Sequence, residues 1–412
     1  MGFEIINGDC LEELDKLDEN SIESIVTDPP YELNFMGKGW DNAGVSFQKE
    51  TWQKCLRVLK PGGYLLAFGG TRTYHRIACA IEDAGFEIRD TIMWIYGSGF
   101  PKSMSLSKGL EAREKLGNAG TRNKRKIEQA CDTEEYKLKQ TNNGAMGEII
   151  ETTRKEYVPG TDLAKQWQGW GTCLKPSYEP IIVARKPFKG SLVDNVLKYG
   201  VGGLNIDECR VGNEERTIPI HSNDKKEDNT LFGLHPTIQH KRKPTTQGRF
   251  PANTILTYDE TDFDEVCGGF PITTSTGGSG EASRKNTFSN VYGEYNHNYV
   301  SNSLGGFNDK GSAARYFYCA KASRKDRDEG LSEGERSTHP TVKPTALMQY
   351  LVRLVSPKGA TILDPFMGSG STGKAVMYEN KERNADYKFV GIEKEAEYCE
   401  IAKARIENAC KK

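Results

Sequence analysis

The sequence predicts an α/β protein whose single sheet is assembled from both ends of the chain, with the middle inserted. Three observations lead there. Over the first hundred residues, short apolar runs alternate with stretches of helical spacing. The same alternation returns after about residue 338. Between the two blocks the composition turns polar and basic, then rich in Gly, Asn, Ser and Thr. Apolar strands alternating with helices specify a parallel sheet covered on both faces. At 412 residues the chain is too long for one ordinary core, so it needs either one large domain with an insertion or two domains.

In chain order, Glu4–Asn7 reads as a short strand and Cys10–Leu17 as a helix. Ser24–Thr27 is a second strand, ending at Asp28. Trp52, Cys55, Leu56 and Leu59 recur at helical intervals, and Pro61-Gly62-Gly63 stops that helix. Tyr64–Phe68 is an apolar strand, Tyr74–Ala84 a helix with Gly85 as its stop, and Glu87–Ile95 the next strand. The stretch 102–155 is polar and helix-prone, with 12 Lys/Arg against 8 Asp/Glu and a basic cluster at Arg122, Lys124, Arg125 and Lys126. Pro180–Ala184 resumes a strand. From Ser191 to about Ser337 the chain is loop-rich, with short β signals at Thr254–Thr257 and Tyr316–Cys319, which predicts a functional insertion. A helix through Leu347, Tyr350, Leu351 and Leu354 then precedes the strand Thr361–Leu363, the helix Gly370–Asn380, the strand Lys388–Ile392 and a final helix, Ala396–Ala409. Both blocks together supply about seven strands. The expected organisation is 1–100 and 338–412 as the two halves of one domain, 178–190 as a returning strand, 101–177 as a polar basic insertion, and 191–337 as a second insert.

Composition narrows the function. With 56 Lys plus Arg against 57 Asp plus Glu, the net charge of −1 announces no nucleic-acid binder, so any basic surface must be local. None of the ten cysteines forms a CxxC pair, so no zinc framework is expected and the thiols read as reduced, as in a cytoplasmic protein. The first residues, MGFEIINGDC, lack the basic and apolar regions of a signal peptide. No apolar run approaches the roughly 20 residues needed to span a bilayer, so no membrane partner is expected.

Four clusters carry chemistry. Asp28-Pro29-Pro30-Tyr31 follows a strand directly. Its prolines stiffen the turn and remove two backbone donors. A carboxylate, a free carbonyl and an aromatic face are thus offered at the carboxyl edge of the sheet, where open α/β sheets bind ligands. An exocyclic nucleobase amine is a poor nucleophile because its lone pair is delocalised. Asp28 and the Pro29 carbonyl, accepting from its N–H groups, would localise that lone pair while Tyr31 stacks on the ring. A solvated acid beside a packing tyrosine is the plainer alternative.

Leu363 to Thr372, LDPFMGSGST, reads as strand, glycine turn and helix start, and Glu393 ends the next strand, where a carboxylate can accept both hydroxyls of a ribose. Gly368, Gly370 and Gly373 with Glu393 also satisfy a dinucleotide-binding fingerprint, but only 39 residues follow Gly373, too few for the remaining strands of such a domain. His339-Pro340-Thr341-Val342-Lys343-Pro344 precedes a helix, and His339 reads as a turn or packing residue. Gly8-Asp9-Cys10 with Glu12 suits either a helix cap or a cofactor contact.

Together these motifs resemble those of the amino DNA methyltransferases that modify N6 of adenine or N4 of cytosine, in the permuted order of the beta class. DPPY resembles the family's catalytic motif, Leu59-Lys60-Pro61-Gly62-Gly63 a following block, and HPTVKP, DPFMGSGST and Gly391-Ile392-Glu393 its cofactor motifs. GRFPANTIL (248–256) and ARYFYCAKAS (314–323) look like central regions of phage and prophage members. The resemblance implies a seven-stranded, Rossmann-like, circularly permuted methyltransferase sheet with a large inserted target-recognition region. It implies S-adenosylmethionine as cofactor, lined by Asp364, Phe366, Gly368, Ser369 and Gly370. Glu393 would hold the ribose, Asp9 would stand at the adenine end, and Thr341 and Lys343 would flank the amino-acid end. Double-stranded DNA is the implied substrate, its adenine flipped onto Asp28, Pro29, Pro30 and Tyr31, and a homodimer the implied assembly. Lys241, Arg242, Lys243 and Arg249 are the candidate DNA contacts, with Arg122, Lys124, Arg125 and Lys126 as a second group. The rival readings are N4 of cytosine, an RNA or protein-amide substrate, and a catalytically dead DNA-binding fold.

Overall fold

A computed structural model describes residues 2–33, 44–96, 103–117, 124–141, 149–216, 246–258, 272–275, 309–312, 317–321, 324–331 and 336–411. The described backbone divides into two compact units, residues 1–97 with 178–412, and residues 98–177.

In the larger unit β1 (Phe3–Asn7), α1 (Cys10–Lys16), β2 (Ile22–Thr27), α2 (Lys49–Val58), β3 (Leu59–Phe68), α3 (Tyr74–Asp83) and β4 (Glu87–Tyr96) follow in turn. The smaller unit holds α4 (Leu106–Leu116), α5 (Lys124–Ala130), β5 (Thr133–Thr141), β6 (Ile149–Tyr157) and α6 (Asp162–Gln166). The chain returns to the larger unit with β7 (Tyr178–Arg185), α7 (Leu192–Tyr199), β8 (Val211–Arg216), β9 (Thr246–Arg249), β10 (Thr254–Tyr258), β11 (Ile272–Ser275), β12 (Asp309–Ser312), β13 (Tyr318–Lys321) and α8 (Arg324–Asp328). It ends with α9 (Thr345–Val355), β14 (Thr361–Asp364), α10 (Ser371–Arg383), β15 (Lys388–Glu393) and α11 (Ala396–Lys411).

Nine strands form one sheet in the order β1-β15-β14-β2-β3-β7-β4-β10-β13. Seven are those expected from the two ends and the returning strand; β10 and β13, the two short β signals of the insert, extend it beyond β4. The sheet is mixed rather than parallel, because β7 runs antiparallel to both β3 and β4. Alternate residues serve opposite faces, and both faces are apolar. Tyr64, Leu66 and Phe68 of β3, with Ile181 and Val183 of β7, pack under α9, α10 and α11. Leu65, Ala67, Ile182 and Ala184 pack under α1, α2 and α3.

Two local expectations need correction. Leu59 to Gly63 does not end a helix but opens β3, with a register irregularity against β2, since α2 stops at Val58. Residues 133–141 and 149–157 pair as antiparallel strands rather than continuing the helices. The Thr-rich run Ile149–Tyr157 disfavours a helix, and Lys155 meets Glu135 across the strand pair at 3.2 Å.

Candidate active site

Neighbouring parallel strands run in opposite sequence directions on either side of the β14–β2 pair: β14 leads to β15 on one side, β2 to β3 on the other. Such a switch point opens a crevice outside the strand ends. Asp28 follows β2 there, Asp364 ends β14, Glu393 ends β15 and Gly69 follows β3. Because β7 is antiparallel, its first residues lie at this same edge: Ile181 pairs with Phe68, and Tyr178 with Ile95.

The turn after β2 is firmly held. Ser46 Oγ donates to the Pro30 carbonyl at 2.6 Å, and Thr73 Oγ1 to the Tyr31 carbonyl at 2.8 Å. A Cβ on Gly70 would lie 3.1 Å from the Tyr31 ring, so glycine lets the ring lie close to the backbone. Lys343 Nζ donates to Asp28 Oδ2 at 2.6 Å and lies 3.4 Å from Glu179 Oε2. The same Glu179 oxygen accepts the Tyr31 hydroxyl at 2.6 Å, while Tyr96 donates to Oε1 at 3.3 Å. The ammonium also stands 5.2 Å from the Tyr31 ring centre and 5.1 Å from that of Phe68. Burial works against its charge, but Asp28 and Glu179 together hold the Lys343 pKa above its ordinary value. Burial, then Asp28 and Glu179, push the Tyr31 hydroxyl well above its ordinary range, so it stays a donor. Asp28 Oδ1 is buried and meets no hydrogen-bond donor among the described residues. Buried acceptors are ordinarily paired, so Oδ1 is available to a donor that reaches this turn.

At the neighbouring turn Gly368 and Gly370 have φ of +52° and +75°. A Cβ on Gly368 would come within 2.8 Å of His339 Nε2. His339 packs against Tyr398, its ring centre 4.7 Å away, and burial with Lys343, Arg405 and Arg327 lowers its pKa to about 4. It is therefore a neutral packing residue. Glu393 Oε2 accepts the Gly368 N–H and Oε1 the Glu395 N–H, each at 2.8 Å, leaving each oxygen a lone pair. Burial raises its pKa against those two bonds. Phe366 is half-buried, its ring 6.4 Å from that of Trp52. Thr341 is exposed.

Several side chains named from the sequence do other work. Asp364 is 2% exposed, and its oxygens accept from Thr27 Oγ1 at 2.7 Å and Thr372 Oγ1 at 2.6 Å. It ties β2 to α10 beneath the crevice instead of lining it, and burial raises its pKa to about 6. Ser369 is buried, its carbonyl and hydroxyl both accepting from Arg405. Asp9 caps α1 through the Leu11 N–H and pairs with Lys394, each at 3.0 Å. Burial pulls its carboxyl upward, but Lys394 and the cap hold it below the ordinary value. The Lys343 ammonium is committed to Asp28 and Glu179 rather than standing free at a cofactor edge. Arg249 is 4% exposed, which removes it as an open phosphate contact. Lys241, Arg242, Lys243 and Arg122 lie outside the described residues, as do the side chains of Lys124 and Arg125; Lys126 is exposed.

Glu179 was missed because an antiparallel β7 was not foreseen; the one signal was an acid directly before the apolar run Pro180–Ala184. Among the described residues, no cluster of three or more His, Cys, Asp or Glu could hold a metal ion. None of the described helices is long and apolar enough to cross a membrane.

A family model described as DNA methylase matches residues 22–404. The chain is 25% identical over 261 residues to the Type II methyltransferase M.HindIII of Haemophilus influenzae, covering 53% of this chain and 70% of that protein. It is 34% identical over 116 residues to the Type II methyltransferase M.HpaI of Haemophilus parainfluenzae, covering 26% of this chain and 36% of that protein. The solved PvuII DNA methyltransferase (cytosine-N4-specific) superposes with a TM-score of 0.42 at 13% identity, over 98% of this chain and 86% of that one.

Proposed function

The chain belongs to this DNA methylase family, and from that premise we propose that it methylates the exocyclic N6 amine of adenine in double-stranded DNA. The enzyme is a DNA amino-methyltransferase, and S-adenosylmethionine is the cofactor of its family.

The Oδ1 of Asp28, buried and without a donor among the described residues, carries the reading. In a duplex the target amine is out of reach of such an atom, so the base is extruded into the crevice. Tyr31 stacks on it. Asp28 Oδ1 and the Pro29 carbonyl accept the two amino protons; the Pro30 carbonyl already serves Ser46. Acceptors fixed in advance localise the nitrogen lone pair without further reorganisation. The second turn fits the cofactor, since two glycines keep it close to the sheet and Glu393 keeps lone pairs for two hydroxyls. Gly368, Gly370, Phe366 and Glu393 would hold it, with Thr341 at its edge. Bound there, S-adenosylmethionine supplies an electrophilic methyl group. Lys241, Arg242 and Lys243 are the proposed phosphate contacts, since counter-ion release needs lysine and arginine. The two Type II relatives support a role in restriction–modification.

Adenine is favoured because the motif begins with Asp28, whereas the family's cytosine enzymes more often begin it with serine. Incubation of the enzyme with duplex DNA and labelled cofactor, followed by digestion to nucleosides, tests this. N6-methyladenine is the expected product. N4-methylcytosine would replace the base assignment, and no labelled nucleoside would remove the activity.

A further inference from the structure

Two carboxylates, Asp28 and Glu179, share one ammonium, that of Lys343, which is only 7% exposed. The nearest match to Lys343 is Asp28, at 2.6 Å; Glu179 stands further off, at 3.4 Å. Glu179 is also the acceptor that fixes the Tyr31 hydroxyl, at 2.6 Å. These residues lie on three separate segments, the turn 28–31, the start of β7 and the run before α9, and no spacing in the sequence connects the three.

The physical consequence concerns Asp28. A buried lysine with a single carboxylate partner concentrates its field there and makes that carboxylate a weaker acceptor for any other donor. A second carboxylate draws part of the ammonium's field away, and Asp28 keeps more of its charge for another donor. The clamp on the Tyr31 hydroxyl also fixes the plane of the ring that faces the base.

We propose that Glu179 is a positioning residue for methyl transfer, orienting the Tyr31 ring and sharing the Lys343 ammonium so that Asp28 Oδ1 remains a strong acceptor for the target amine. The inference rests on the methyl-transfer reading above. Glu179 itself touches neither base nor cofactor; it acts through its two neighbours.

Steady-state methylation by wild type, Glu179→Gln, Lys343→Met and the double variant tests it, with cofactor affinity measured by calorimetry as a check on folding. Glutamine keeps the size and one acceptor for Tyr31 but removes the charge. Glu179→Gln should lower kcat roughly tenfold while the KM for DNA and the cofactor affinity stay within about twofold, the pattern of an interaction felt in the transition state. The double variant, in which Asp28 again stands without competition, should regain at least about threefold over Glu179→Gln, because residues in one network do not add. A kcat for Glu179→Gln within about twofold of wild type overturns the proposal. So does a lowered kcat with no recovery in the double variant, which is what a merely structural glutamate would give. If Glu179→Gln does not fold, Tyr31→Phe removes the same clamp, and an unchanged kcat there overturns the positioning role. A wild-type enzyme that methylates no DNA would instead refute the parent reading, and this inference with it.

Discussion

Asp28 shows how much one residue's surroundings decide. Its Oδ2 accepts from a buried ammonium, while Oδ1 is buried and has no donor among the described residues. A buried acceptor without a donor costs about 1–3 kcal/mol, so a donor arriving at Oδ1 meets an atom with hydrogen-bonding capacity to spare. Replacing Asp28 with Ala removes the acceptor and leaves Lys343 with Glu179 as its carboxylate. Turnover should fall by at least about 10²-fold, the usual effect of deleting a preorganised electrostatic partner. Cofactor affinity should be nearly unchanged, because the proposed cofactor contacts, the glycine turn and Glu393, are untouched; parallel calorimetry and methylation assays read the two effects. Full activity in this variant would take the central role away from Asp28. The motif Asp28–Tyr31 could be read from the sequence because proline stiffness and a strand end are local properties. The charge balance around it could not, because Glu179 and Lys343 arrive from elsewhere in the chain.

At the scale of elements, the site depends on the ends of β2, β14 and β15 and the start of β7. The glycine turn before α10 is one such joint. Gly368 adopts φ +52° and leaves a side chain no room, with His339 Nε2 2.8 Å from where a Cβ would stand. Gly368→Ala should cost about 1–2 kcal/mol from the left-handed backbone alone, before His339 is displaced. We expect the S-adenosylmethionine Kd to rise by about tenfold or more, measured by calorimetry; an unchanged Kd would show that the turn does not shape the cofactor site. Strand and helix positions in both end blocks were legible because buried strands are apolar on both faces and helices repeat at 3.6 residues. The direction of β7 was not. Its run Pro180–Ala184 reads the same in either orientation, since apolar patterning carries no polarity. The buried supports were hidden for a related reason: Asp364 reads as a ligand from its motif, yet Thr27 and Thr372 close over both its oxygens.

For the whole molecule, the chain divides into the large sheet unit and the unit of residues 98–177. The smaller one is organised on Glu111, which is fully buried and accepts from Lys115 at 2.6 Å and the Tyr157 hydroxyl at 2.7 Å. Burial would raise its pKa, but Lys115, Tyr157 and the Gly160 and Asp132 N–H groups outweigh it and lower it from 4.5 to about 2. A carboxylate held below its unfolded value stabilises fully above pH 4.5, and that contribution is lost as pH falls toward 2. Glu111→Gln should therefore be less stable than wild type near neutrality, by about 1–3 kcal/mol, and the gap should close on acidification. Hydrogen exchange of residues 103–117 and 149–177 at matched pH measures it, and a gap that persists near pH 2 would exclude the ionised carboxylate as the cause. What the amino-acid sequence determined alone was local: the strand positions of the sheet, the helices of both end blocks, the proline turn at 28–31 and the glycine turn within 363–372. Each follows from backbone stiffness, burial period or φ preference within a few residues. Only the tertiary structure decided the sheet's nine-strand order, the reversed β7 and the partners of Asp28, because hydrogen bonds and charge pairs act over a few ångströms in space, whatever the distance along the chain.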